Sequence, residues 1–233
     1  MIDCVSIANM RQSDAYTIAN FVPSLELMYR AAHGVFKAVN WKGRTAIVVG
    51  SGNNGGDGFA LACILQEHGY ECTVFKLSER LSDDSAYYAK LAETAKVIIK
   101  PFTPGCLAGY DILVDCLLGT GFQGNVREPY STAIHEINQS PGYVVSVDIN
   151  SGMNGDTGDA VLAVRSDLTV TIGFVKTGLI SENAGRYIHK LVCTDIGILL
   201  AKYEYKICGP DEPIAENSYP CPGWLDMKIQ KAY

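Results

Sequence analysis

Four stretches of this chain crowd glycine, asparagine, aspartate and serine directly behind short apolar runs. In an open parallel sheet those are the strand ends where ligands bind. The first is Gly50-Ser51-Gly52-Asn53-Asn54-Gly55-Gly56-Asp57-Gly58. Glycines allow close backbone approach to a ligand, and a following helix would offer free N–H groups to phosphate. Gly50, Gly52 and Gly55 satisfy G-x-G-x-x-G, a weak signal alone. An ordinary dinucleotide site also places an acid at the end of the second strand, where this chain has Lys76-Leu77. Asn53, Asn54 and Asp57 exceed what a tight turn needs and are read as donors and acceptors aimed at a ligand.

The second stretch is Asp115-Cys116-Leu117-Leu118-Gly119-Thr120-Gly121-Phe122-Gln123-Gly124-Asn125. An acid at a buried strand end is costly unless a cation or hydrogen bonds satisfy it, and the glycines form a second backbone-lined cradle. Arg127 either adds charge or sits on the surface, and Tyr130 either stacks on a ring or joins the core. The third stretch, Asp148-Ile149-Asn150-Ser151-Gly152-Met153-Asn154-Gly155-Asp156, again ends an apolar run with an acid. A carboxyl group held among apolar neighbours is expected to have a raised pKa suited to acid–base work, the alternative being a cap or loop anchor. In the fourth, Gly173-Phe174-Val175-Lys176-Thr177-Gly178-Leu179, Lys176 either neutralises a phosphate or carboxylate or is solvated.

The elements that must carry these loops follow from periodicity. Residues 12–39 predict two helices broken at Pro23-Ser24, with Ile18, Phe21, Leu25, Met28 and Val35 on a buried stripe. Short apolar runs predict strands at 45–49, 72–75, 97–99, 111–115, 144–148, 168–172 and near 187–194. Helices are expected at 59–65, 85–96 and 130–138 between them. That alternation predicts an α/β fold with a mostly parallel sheet covered on both faces. From about residue 201 four prolines and no clear period predict an irregular tail to residue 233.

With 233 residues, 48% hydrophobic and 19% charged, the chain has the composition of a globular domain with a sizeable core. A net charge of −6 without a basic cluster disfavours nucleic acid. No apolar run approaches the roughly 18 residues of a membrane span, and the first residues do not form a secretory signal. Eight scattered cysteines without a C-x-x-C pair read as reduced thiols of a cytoplasmic protein, and the four histidines lack ligand spacing.

Taken together, G-S-G-N-N-G-G-D-G, V-D-C-L-L-G-T-G-F-Q-G-N-V-R-E-P-Y and V-D-I-N-S-G-M-N-G-D-T-G resemble the signature loops of NAD(P)H-hydrate epimerases, the YjeF N-terminal domain family. The resemblance covers about residues 7–200, which sets the expected domain at 1–200 and the tail at 201–233. It implies a three-layer Rossmann-like fold, a homodimer, and epimerisation of the R and S forms of hydrated NADH and NADPH. A separate dehydratase would then restore the cofactor. It further implies that Asn53, Asn54, Gly55, Gly56 and Asp57 hold the hydrate together with Gly119, Thr120, Gly121, Phe122, Gln123, Gly124, Asn125 and Asp148. Asn54, Asp115 and Ser151 would ligate potassium, and Asp148 would move the proton. Two departures from the family pattern stand out. Tyr29 and Ala32 occupy positions where M-E-x-A-G is usual, and Asn150 replaces the proline of D-I-P-S-G. Two rivals remain: a non-catalytic binding module on the same fold, and an ordinary NAD(P)-dependent oxidoreductase, which the missing acid and the lack of a hydride apparatus disfavour.

Overall fold

The computed structural model describes residues 2–208, 218–220 and 222–231. The chain begins with β1 (Ile2–Val5), α1 (Ile7–Asn20) and α2 (Ser24–Ala38). It then alternates through β2 (Thr45–Val49), α3 (Asn53–Glu67), β3 (Cys72–Lys76), α4 (Asp83–Thr94) and β4 (Ile98–Pro101). β5 (Ile112–Cys116), α5 (Tyr130–Gln139), β6 (Tyr143–Val147), β7 (Leu168–Ile172), β8 (Val175–Lys176) and β9 (Lys190–Asp195) follow. The last strands are β10 (Tyr205–Cys208), β11 (Ser218–Pro220) and β12 (Asp226–Lys231).

Eight strands form one sheet in the order β12-β9-β7-β6-β5-β2-β3-β4, every pair parallel. The chain runs outward from β2 to β4, then returns to β5 on the other side of β2, so the order reverses between β2 and β5. A crevice opens at such a switch point beyond the strand ends. The α/β fold and its mostly parallel sheet are as expected from the sequence.

Strand residues alternate between two cores. Ile47, Val49, Val74, Val114, Cys116, Val145 and Val147 pack with α2, α3 and α4 on one face. Ala46, Val48, Leu113 and Val144 pack with Ala133, Ile134 and Ile137 of α5 on the other. Being covered on both sides is what makes β2, β5 and β7 read as unbroken apolar runs.

The ends of the chain differ from expectation. β1 pairs with β8 in parallel and with β10 antiparallel in a small second sheet, and β12 extends the large sheet beside β9. The expected irregular tail therefore contributes three strands among its described residues. The physical reason lies in α1. It starts at Ile7, capped by the Ser6 side chain, and buries Asn9, Ser13 and Thr17 at four-residue steps. Asn9 Nδ2 donates to Lys202 O (2.6 Å), while Ser13 Oγ and Thr17 Oγ1 accept from the amides of Ala201 and Leu199 (3.0 and 2.9 Å). This polar stripe satisfies backbone that has no strand partner. Ile18 and Phe21, expected in the core, are 42% and 58% exposed instead.

Candidate active site

The first glycine-rich stretch is mostly helix. α3 begins at Asn53 rather than near residue 59, so Asn53 to Asp57 form its first turn, in which the amides of Gly55 and Gly56 already donate to Gly52 O. Packing explains two of the glycines. A Cβ on Gly55 would lie 2.3 Å from the carbonyl oxygen of Gly50, and one on Gly56 would lie 2.6 Å from Met28 Sδ. Gly55 and Gly56 thus seat the turn against β2 and α2, and neither lines the cleft. Asn53 is exposed and accepts from Ser82 Oγ at 2.6 Å, which ties it to the start of α4.

Asn53, Asn54, Asp57, Gly119, Thr120 and Asp148 all line one cleft of about 160 Å³ at the carboxyl ends of the strands. Met10, Leu27, Met28 and Ile172 supply an apolar wall, and Asp14, Asp84 and Lys176 add charge. Asp14 received no role from the sequence. Met10, Asp14 and Ile18 lie four residues apart on α1 and all reach the cleft, so an acid set between two apolar residues at helical spacing was the available signal.

Lys176 is 1% exposed and forms an ion pair with Asp148 Oδ1. Its ammonium also donates to Ile172 O (2.7 Å) and Thr171 Oγ1 (3.2 Å), so the three donors are used. Of the alternatives for this lysine, the structure selects neutralisation of a carboxylate. Asp148 itself sits at φ 69°, a region that costs a non-glycine residue energy, just beyond β6. Its neighbours carry the perturbed carboxyls. Burial raises Asp57 well above the ordinary value, and the carboxylates of Asp148 and Asp14 push it further. Asp14 rises to about 6, chiefly through burial, with Lys176 opposing and Asp148 adding to the shift. Asp57 is therefore the carboxyl of the cleft whose surroundings most favour the protonated form.

Asp115 lies on the other face of the sheet, beside its register partner Ser146. It is fully buried and accepts four hydrogen bonds: from the hydroxyl and amide of Ser151, from Ser146 Oγ and from the amide of Leu117. Burial nonetheless raises its pKa. The Ser151 hydroxyl also accepts from the amide of Leu118 at 2.8 Å, and Asn54 Nδ2 donates to Leu118 O at 3.0 Å. This chain of contacts links Asp115 to the cleft through Ser151 and Asn54. Asn54 Oδ1, by contrast, is buried with no protein partner. The remaining residues of the second stretch, Phe122, Gln123, Gly124 and Asn125, line a different cavity. Gly121 is exposed between the two, and a Cβ added there would meet nothing within 4 Å.

Residues 24–178, two thirds of the chain, match the family described as YjeF-related protein N-terminus. The chain belongs to the YjeF N-terminal family. Among relatives, the NAD(P)H-hydrate epimerase of Limosilactobacillus fermentum is 33% identical over 82% of this chain and 95% of its own length. The bifunctional NAD(P)H-hydrate repair enzyme Nnr of Coxiella burnetii is 36% identical over 81% of this chain but only 40% of its own. The chain thus spans about two fifths of the bifunctional relatives it matches. The crystal structure of yeast ynu0 shares the fold, with a TM-score of 0.67, 24% identity, and coverage of 76% of this chain and 83% of that one.

Against the family pattern, Asn150 proves structural. Fully buried, it donates to Val164 O, Ser166 Oγ and Tyr187 O and accepts from Thr169 Oγ1. A proline there would supply none of these bonds, so Asn150 anchors the turn in its own way and keeps Asp148 and Ser151 on either side. Tyr29 is 43% exposed on α2, and Ala32 is buried in the α2 core.

Proposed function

We propose that this chain interconverts the R and S forms of hydrated NADH and NADPH. The observation that carries the reading is the cleft itself: four carboxyl groups and one buried lysine gathered at the switch point of the sheet, one carboxyl with its pKa pushed well above the ordinary value and another ion-paired. The hydrate carries its hydroxyl on a ring carbon next to nitrogen. Inverting that carbon requires the hydroxyl to leave as water and water to return on the opposite face. Asp57, whose hold on a proton is strengthened by burial and by the Asp148 and Asp14 carboxylates, supplies the proton for departure. The ring nitrogen takes up the positive charge, and an acidic cleft stabilises that cation better than water does. Asp148 is the base that receives the proton of the returning water, held in place by Lys176 through Oδ1. A donor and an acceptor of the same chemical type, separated by environment, are what a reversible dehydration needs.

Potassium belongs to this reading. The donors about Asn54 are all oxygens suited to a hard cation: Asn54 Oδ1, Ser151 Oγ, Leu118 O and Asp115. The unpartnered Asn54 oxygen is what supports the fit. A bound cation would supply positive charge that fixes the Asn54 side chain and the turn at Leu118.

The same reading takes the chain as a cytoplasmic homodimer. Tyr16 and Ile18 of α1, Phe21 just after it and Tyr29 of α2 leave apolar surface exposed that a second copy would cover. No described helix is long and apolar enough to cross a membrane. A dehydratase consumes the product, as the bifunctional relatives suggest. The test is direct. Hydrated NADH in its R form, supplied with an S-specific dehydratase and its nucleotide, should regain nicotinamide absorbance faster with this protein than without it. No acceleration from folded protein, with or without potassium, would sink the proposal.

A further inference from the structure

The stretch 119–125 does not serve one cavity. Gly119 and Thr120 line the cleft that holds Asp57 and Asp148. Phe122, Gln123, Gly124 and Asn125 line a second cavity of about 450 Å³, larger than the first. The opposite wall of that cavity comes from Gly152, Asn154, Thr157 and Gly158 of the third signature loop, and from residues 159–161, 183, 186 and 187, which carry no sequence signature of a site. It is nonetheless organised. Tyr187 is fixed by a hydrogen bond from its hydroxyl to Ala160 O (3.0 Å), and Asp159 accepts from Asn183 Nδ2 (2.7 Å). Arg186 reaches the cavity with no acidic partner among the described residues.

A hydrated dinucleotide is two nucleotides joined through a pyrophosphate. If its reacting ring lies against Asp57 and Asp148, a cleft of about 160 Å³ has no room for the second nucleotide. The turn at 119–125 leads out of that cleft and into the larger cavity. The chemistry there suits the far half. An arginine accommodates the extra phosphate of a phosphorylated adenosine ribose, a carboxylate accepts from a ribose hydroxyl, and aromatic and aliphatic side chains cover a base. We propose that the second cavity holds the adenosine half of the substrate, with Arg186 on its 2′-phosphate, Asp159 on a ribose hydroxyl, and Phe122 and Val161 against the base. This rests on the epimerase reading and adds to it a preference for the phosphorylated dinucleotide.

Calorimetric titration of the whole chain with adenosine 2′,5′-bisphosphate and with AMP tests the assignment without turnover. The bisphosphate should bind about tenfold more tightly than AMP, as one charge-assisted contact allows. Arg186→Gln should abolish that difference. Val161→Trp, at a position 90% exposed and so harmless to folding, should weaken both probes by filling the cavity. Equal affinity of wild type for the two probes, or binding indifferent to both substitutions, would overturn the proposal. Failure of the reaction reads out separately. Probes that bind as expected without epimerisation leave the nucleotide subsite standing and remove the reaction; epimerisation with no probe binding removes the subsite alone.

Discussion

β5 and β6 are neighbours in the sheet, and each delivers an aspartate to the same edge, yet the two acids live in opposite conditions. Asp115, the fourth residue of β5, is fully buried and takes four hydrogen bonds from Ser146, Ser151 and Leu117. Asp148, one residue beyond β6, opens on the cleft with Lys176 as its cation and two acidic neighbours, Asp14 and Asp57. The first acid has its needs met by the fold and organises the loops around it. The second stands among groups that remain electrostatically unsettled until a ligand arrives. Identical residue types at adjacent strand ends thus separate into structure and chemistry according to how many donors the fold supplies.

That contrast can be broken from either side. Asp148→Asn should lower kcat/KM for epimerisation by about 10²–10⁴, the range of a proton-transfer group, while the fold persists; a coupled dehydratase assay reads it, and full activity would return Asp148 to the role of anchor. Asp115→Ala should act on stability, because it strands two hydroxyls and two amides without their acceptor. A loss of about 3 kcal/mol or more in urea unfolding is expected. Near-native stability would mean that other acceptors or water take its place.

The Lys176–Asp148 pair sharpens the comparison. Asp148→Asn alone leaves a buried ammonium without its counter-ion and should cost about 3 kcal/mol of stability, the low end for a broken buried pair because Asp148 is partly exposed. Adding Lys176→Met should recover most of that loss and none of the activity, as differential unfolding and the coupled assay would show. Stability and catalysis would then be separated at one residue.

Asp14 gives a smaller effect with a defined pH dependence. Its pKa rises from 3.8 to about 6 on folding. Between those values the native state binds more protons than the unfolded chain. The resulting stabilisation is complete below the unfolded value and is lost as pH rises through about 6. At neutral pH the ionised, partly buried Asp14 is a cost. Asp14→Asn should therefore be more stable than wild type at neutral pH by about 1–3 kcal/mol, with the gap closing below pH of about 4. A pH-independent difference would show that the change acts through packing.

Potassium should give the smallest effect. Replacing tetramethylammonium by potassium chloride at equal ionic strength should raise the unfolding midpoint by a mass-action increment of about 1 kcal/mol, and Asn54→Ala should abolish the increment. The same midpoint in both salts would remove the cation from the proposal.

Much of this arrangement was legible in the sequence, for definite reasons. Parallel strands covered on both faces are continuous apolar runs, so β2, β3, β5, β6 and β7 could be placed to within a residue or so. The acids Asp115 and Asp148 stood out because charge ends those runs. Four things did not show. The start of α3 was hidden because its glycine-rich first turn argues against helix, while tight packing against β2 and α2 forces it. α1 misled because its buried stripe is polar, serving the backbone of residues 199–202 nearly two hundred positions away. Pairing of Lys176 with Asp148 spans 28 residues and arises only once β7 and β8 bring the lysine under the sheet edge, so no local spacing announces it. Strands after residue 201 were likewise invisible, since β10 depends on β1 and β12 on β9 for partners.

The backbone at Asp148 has a further consequence for anyone who would evolve this protein. Its φ of 69° is tolerated best by glycine and, among residues with a side chain, by asparagine. In a background where Lys176→Met has removed the buried ammonium, a library screened for heat resistance alone would therefore be drawn toward Asp148→Gly and Asp148→Asn. The carboxylate on which the proposed chemistry depends would be among the first groups discarded, and a selection that monitors only melting temperature would count the dead enzymes as its winners.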